Sequence, residues 1–221
     1  MSAKEERGSS PVSRGGAGVY IEGQLGAFYL LNLLAGSSPR GLPRSRLSGV
    51  TFQGTDLGYA LDDLILHGNI ADYDYLLEIQ SKRTVTFAPK DIVFKEVCEQ
   101  IARSDGADVV EEYHFLAVAT QRTSRSISGP YQEVLQWAQA AQTSTEFFDR
   151  LSAHGVASKP MRDFTSTFRN NLVAAGVTND DDVIWRYLRR FLTRISHRSP
   201  ASLADCAGYR HYRSLAAVTD Q

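Results

Sequence analysis

The sequence predicts an α/β fold: a mixed sheet flanked by helices, followed by a helical extension. Three observations carry this expectation. Up to about residue 120 the patterns read helix, strand, strand, strand, helix, strand, the order of an α/β layer. Within the third strand, YLLEIQSK alternates polar and apolar residues, the period of a β-strand. Beyond Gly129, and as far as about residue 198, the segments read with helical spacing instead.

The elements follow in order. Residues 1–17, MSAKEERGSSPVSRGGA, are expected to be a flexible leader, with the glycine-rich SRGGAG as linker. VYIEGQLGAFYLLNLLAG places Tyr20, Gln24, Ala27, Phe28 and Leu31 at helical spacing, and Gly36 is a natural stop. SSPRGLPRSR is a loop, LSGVTFQ a short strand, and DDLILHG a second strand. Asp72-Tyr73-Asp74 turns the chain into YLLEIQSKRTVTF, read as one strand. APKDIVFKEVCEQIARSDG is a helix, with Pro89 in its first turn and Gly106 near its end. EEYHFLAVATQ is the next strand. Four helices then follow in PYQEVLQWAQAAQTS, STEFFDRLSAHG, PMRDFTSTFRNNLVAAG and TNDDDVIWRYLRRFLTRIS. Ser144 or Thr145 suits the N-cap of the second of these. The last places acids at its positive end and arginines at its negative end. The expected division is a leader (1–17), an α/β domain (18–126), a helical extension (127–198) and a poorly ordered tail (199–221).

Composition narrows the classes. The chain has 221 residues, 43% of them hydrophobic and 22% charged, which is globular and enough for a sizeable core. A net charge of −1 announces no global nucleic-acid binder, although a local basic patch would suffice for one. Cys98 and Cys206 form no CxxC pair, so neither a disulfide framework nor a zinc ribbon is expected, and the pair reads as reduced thiols of a cytosolic protein. No apolar run reaches membrane-spanning length, and no signal-peptide core opens the chain. The five histidines (His67, His114, His154, His197 and His211) lack HxxxH or HxH spacing for zinc. There is no GxSxG elbow and no GxxxxGK[ST] loop.

The polar face of the third strand is the informative feature. Side chains alternate across a strand, so Glu78, Gln80 and Lys82 point one way and Leu77, Ile79 and Ser81 the other. If the preceding strand runs beside it, Asp63 meets this face. A carboxylate, an amide oxygen and an ammonium are then the parts for metal-assisted phosphodiester hydrolysis. Carboxylate oxygens suit Mg²⁺, and a lysine offsets charge that builds on a phosphoryl group.

Asp63 followed by Gln80-x-Lys82 resembles the PD-(D/E)xK nuclease signature in its Mrr-type variant, D…QxK. GVYIEGQLGAFYLLNLL, with Gln24, is similar to the first helix of the restriction-endonuclease-like domain of bacterial anti-phage proteins. That group includes CBASS effector nucleases and the nuclease ends of NTPase-type phage sensors. Asp62-Asp63 resembles the acidic pair before the strand that precedes QxK, and FKEVCEQIAR the helix after the catalytic hairpin. The resemblance is better over residues 18–103 and looser to about residue 195.

It implies a restriction-endonuclease-like core and a Mg²⁺-dependent deoxyribonuclease (Mn²⁺ as substitute) that cleaves double-stranded DNA in anti-phage defence. It also implies cytoplasmic localisation. Asp63, Gln80 and Lys82 would be catalytic, with Asp63 and Gln80 on the metal. Asp62 competes with Asp63 for that role. Gln80 stands where the family more often has a second acid, so it brings an oxygen but no charge. Glu22 and Glu78 are the residues that could supply the charge, and Gln24 could support the site. Glu78 could equally pair with Lys82. Arg83 and Lys90 flank the site and could track DNA phosphates without reading sequence. Two loop groups, Arg40/Arg44/Arg46 and Arg122/Arg125, could do the same. Arg186, Arg189, Arg190, Arg194 and Arg198 read rather as a solvated helix face. Relatives of this kind carry a further sensor or NTPase domain. The expectation here is a truncated relative, an isolated domain or one part of a larger system, with a sensor or NTPase protein as partner and self-association left open. The alternative is a catalytically decayed module of the same fold that binds DNA or mediates assembly.

Overall fold

A computed structural model describes residues 11–39, 42, 44–71, 73–103, 113–120 and 124–193. Among the described residues the α-helices and strands run in the order α1 (Pro11–Ala35), β1 (Ser45–Phe52), β2 (Leu64–Ile70), β3 (Tyr73–Lys82), α2 (Ile92–Arg103), β4 (His114–Thr120), α3 (Gln132–Ala140), α4 (Ser144–Ser152), α5 (Lys159–Ala174), α6 (Asp181–Arg190) and β5 (Phe191–Leu192). The five strands form one mixed sheet in the order β1-β2-β3-β4-β5. β1, β2 and β3 are an antiparallel meander, and β4 and β5 add in parallel. The return from β3 to a parallel β4 needs a crossover, and α2 lies on it.

Alternation divides the core in two. Leu64, Leu66, Tyr75, Leu77, Ile79, Phe115 and Ala117 face Leu25 and Tyr29 of α1. Leu116 and Val118 of β4 face the other way, into a larger cluster with Phe94, Val97 and Ile101 of α2 and the apolar stripes of α3 to α6. All seven residues of β4 are buried, as expected of a strand covered on both faces. The helical extension therefore packs on the sheet and shares its core. Phe87, Phe94, Tyr131, Phe164, Phe168 and Phe191 make a ring cluster there, with Phe87 edge-on to Phe94 at 4.7 Å. Phe87 holds its place at φ 56°, a left-handed backbone costly for a bulky residue, and full burial of its ring offsets the cost. Trp185 Nε1 donates to the Ala138 carbonyl at 2.9 Å, tying α6 to α3. The Arg150 guanidinium lies 4.0 Å over the Trp137 ring.

Several sequence expectations change. α1 begins at Pro11, so residues 11–17 of the expected leader, and the SRGGAG segment, are helical. β3 ends at Lys82; Val85 and Phe87 leave the strand for the larger core. Pro89 precedes α2, and Asp91 caps it by accepting from the Val93 and Phe94 amides. Thr143, one residue before the expected caps, is the N-cap of α4, and its hydroxyl accepts from the Glu146 amide at 3.1 Å. The last helix stops at Arg190, because Phe191 and Leu192 turn extended and pair with Leu116 and Ala117. Its start is as expected: Asp180 caps it, with Asp181 and Asp182 in the first turn and Arg189 and Arg190 in the last. The arginines of that helix do not form a uniform solvated face. Arg186 pairs with Asp182, Arg189 lies over Trp185, and Arg190 is buried against Tyr187. Cys98 is buried and free, its thiol pushed up by burial, so it behaves as a small apolar residue. Gly106, Arg40, Arg122, Arg194, Arg198, Cys206 and the tail 199–221 lie outside the described residues. Among the described residues no helix is long and apolar enough to cross a membrane.

Candidate functional site

Register places the candidate residues together. Leu64 pairs with Ile79 across the β2–β3 ladder. One step back along β2 brings Asp63 opposite Gln80, and parity puts both on the face away from α1's main contacts. The side chains meet: Gln80 Nε2 donates to Asp63 Oδ2 at 2.8 Å. The same Oδ2 accepts from the Ser81 amide at 2.6 Å. Asp63 is thus held from both sides by β3, and Asp62, its expected competitor, stands beside it. Lys82 follows on the same face at the end of the strand, half-buried.

Charge in this corner is crowded. Burial raises the Asp63 carboxyl above its ordinary value, and Asp62 adds to the rise. The Ser81 hydrogen bonds and Lys82 pull the other way without cancelling it. Glu22 on α1 belongs to the same group. Its carboxyl is raised by burial, then by Asp63 and Asp62, and lowered by Lys82. Three carboxylates therefore share one field with one ammonium. Gln24 sits half-buried two residues further along α1.

Both shifts run upward, so the sign of the linkage is fixed. Each group contributes stability that is fully present below its ordinary pKa, 3.8 for Asp63 and 4.5 for Glu22, and is lost as pH rises through the folded value. Neutralising Asp63 should relieve that loss. Relative to wild type, Asp63→Asn is expected to gain stability as pH rises from about 4, read as the change in urea midpoint. A difference between the two proteins that does not move with pH would overturn the account.

Glu78 departs from expectation. It shares the face of Gln80 and Lys82, but its partner is not Lys82. Oε2 accepts from the Ala60 and Leu61 amides at 2.9 and 2.8 Å, and Oε1 lies 2.8 Å from His114 Nε2. Both oxygens are engaged in tying the segment before Asp62 to β3 and β4. It is an anchor under the site. His67, on the parity of Asp63, sits edge-on to Tyr59. Arg83, Lys90, Arg44, Arg46 and Arg125 are exposed.

Two residues escaped the sequence reading. His114, the partner of Glu78, is the polar start of a strand that is apolar from Phe115 to Ala119. Gln100 of α2 donates through Nε2 to Gln80 Oε1 at 3.2 Å. Its signal is weak: a glutamine three residues after Val97, beside the buried stripe of that helix.

The donor set suits a hard divalent cation in chemistry, with carboxyls raised first by burial and then by one another. Its geometry is incomplete. Among the described residues no group of three or more His, Cys, Asp or Glu side chains is arranged to hold a metal ion. Gln80 also presents an N–H to Asp63 where shared coordination needs its oxygen. No family model, curated protein or solved structure matches the chain.

Proposed function

We propose that this protein is a metal-dependent deoxyribonuclease of restriction-endonuclease-like fold that hydrolyses phosphodiester bonds of double-stranded DNA. The observation that carries the reading is the contact of Asp63 with Gln80 across β2 and β3, with Lys82 next on the same face. The order helix, three-stranded meander, helix, parallel strand supports it, because D…QxK sits on the strands where a PD-(D/E)xK site would. Asp63 would hold the cation and Gln80 would add a neutral oxygen, with Glu22 and Asp62 contributing negative charge nearby. A bound Mg²⁺ or Mn²⁺ supplies Lewis-acid polarisation of a phosphoryl oxygen and a water of lowered pKa. Lys82 neutralises charge on the scissile phosphate, and exposed Arg83 and Lys90 track neighbouring phosphates. Anti-phage defence in a bacterial cytoplasm, alongside a sensor or NTPase protein, is the biological role that the D…QxK resemblance supports.

A second reading has its own observation. The Gln80 N–H turned into Asp63 and the absence of a three-ligand group among the described residues favour a decayed module that binds DNA without cutting it. Supercoiled plasmid separates the two. With Mg²⁺ or Mn²⁺ the nuclease converts it to nicked and linear forms, and EDTA stops the conversion. Retention of DNA in a gel shift without conversion selects the module.

A further inference from the structure

The polar network behind Asp63 extends one residue beyond the groups that the proposed hydrolysis uses. The Gln80 amide is held at both ends. Nε2 donates to Asp63, and Oε1 accepts from Gln100 Nε2. The other end of the Gln100 amide, Oε1, is buried and has no hydrogen-bond partner among the described residues. Buried acceptors are nearly always partnered, so an orphan beside a candidate site calls for a cause.

We propose that Gln100 is a positioning residue that sets which end of the Gln80 amide meets Asp63, and thereby whether a divalent cation can be held between them. The inference rests on the cation reading of the site given above. The two ends of an amide are almost the same shape and opposite in hydrogen bonding. In the arrangement present, Asp63 receives an N–H from Gln80, and the Gln80 oxygen is turned away from the carboxylate toward Gln100. A half-turn of the Gln80 amide would bring its oxygen to Asp63 and send its N–H toward α2. There it needs an acceptor, and a half-turn of Gln100 brings Oε1 round to it. Among the described residues no partner on the outer side of Gln100 fixes either arrangement. An amide with a fixed outer partner would be locked; this one is free to follow the cation.

Mn²⁺ titrated into the full chain by calorimetry tests this without reference to cutting. Gln100→Met removes the acceptor that the turned Gln80 needs, and is expected to weaken Mn²⁺ binding roughly tenfold. Gln100→Glu can only accept, so it should turn the Gln80 N–H toward itself and tighten binding. In a Gln80→Glu background the side chain at position 80 has no N–H to place, and Gln100→Met should then change affinity by no more than about twofold. Thermal melting without Mn²⁺ checks folding; if the methionine variant does not fold, Gln100→Glu decides. Equal affinity of wild type and both position-100 variants overturns the positioning role and leaves the cation reading standing. Equal loss in both backgrounds also overturns it, because the effect would then be structural. No saturable Mn²⁺ binding by either wild type or the Gln80→Glu protein overturns the cation reading itself.

Discussion

Lys82→Ala is expected to lower the rate of Mg²⁺-dependent plasmid cleavage by about a hundred- to thousandfold, the usual loss when one preorganised charge is taken from a developing anion. The strand delivers this residue. Two steps beyond Gln80 on β3, Lys82 shares the face of Asp63 and is the cation that lowers the Asp63 and Glu22 carboxyls. It is only half-buried and ends its strand, so truncation should leave stability within about 0.5 kcal/mol. The variant should therefore show the circular dichroism and urea midpoint of wild type while losing cleavage. Equal cleavage by wild type and variant would sink the assignment.

The largest effect on stability is expected from Glu78→Leu. Its carboxylate is 2% exposed and accepts from two backbone amides and from His114. Leucine fills the space but leaves the Leu61 amide and His114, both buried, and the half-buried Ala60 amide without this partner. Losing one side of a buried, hydrogen-bonded pair costs roughly 3–5 kcal/mol. Glu78→Gln should cost much less, about 1 kcal/mol. Its oxygen can keep the amides, and its N–H can meet His114 in the other ring tautomer. Urea unfolding of the three proteins gives the comparison directly. A leucine variant as stable as wild type would show that the segment before Asp62 does not depend on this anchor. Because that segment carries Asp62 and Asp63, cleavage should fall along with stability in Glu78→Leu, in contrast to Lys82→Ala.

What the residues reveal by themselves depends on the range of the interaction. Strand parity is local, so the common face of Gln80 and Lys82 follows from counting by two. The meeting of Asp63 with Gln80 needed only one further assumption, that neighbouring strands pair. The role of Glu78 is different. Parity gave its face correctly, but its partners lie 17, 18 and 36 residues away in sequence, and nothing local distinguishes an anchor from a ligand. Gln100 was hidden for the same reason: it meets Gln80 only because α2 folds back over β3. The helix expected to run on through Phe191 illustrates tertiary override. Its periodicity continues unbroken, yet two residues gain more by pairing with β4 than by another half-turn of helix. The cap of α4 is a case of near equivalence. Thr143, Ser144 and Thr145 can all cap, and the backbone geometry of Thr143 settles it.

The two tryptophans give the molecule a built-in optical division. Trp137 and Trp185 are the only ones in the chain, and both belong to the layer formed by α3 to α6. The meander that carries Asp63, Gln80 and Lys82 contains none and is silent under excitation selective for indole. Emission from Trp137, under the Arg150 guanidinium, and from Trp185, bonded to Ala138, reports the loosening of that layer and not of the meander. Far-ultraviolet ellipticity, by contrast, reports both. Coincidence of the two signals during unfolding would show that sheet and helical layer melt as one unit, as their shared core requires.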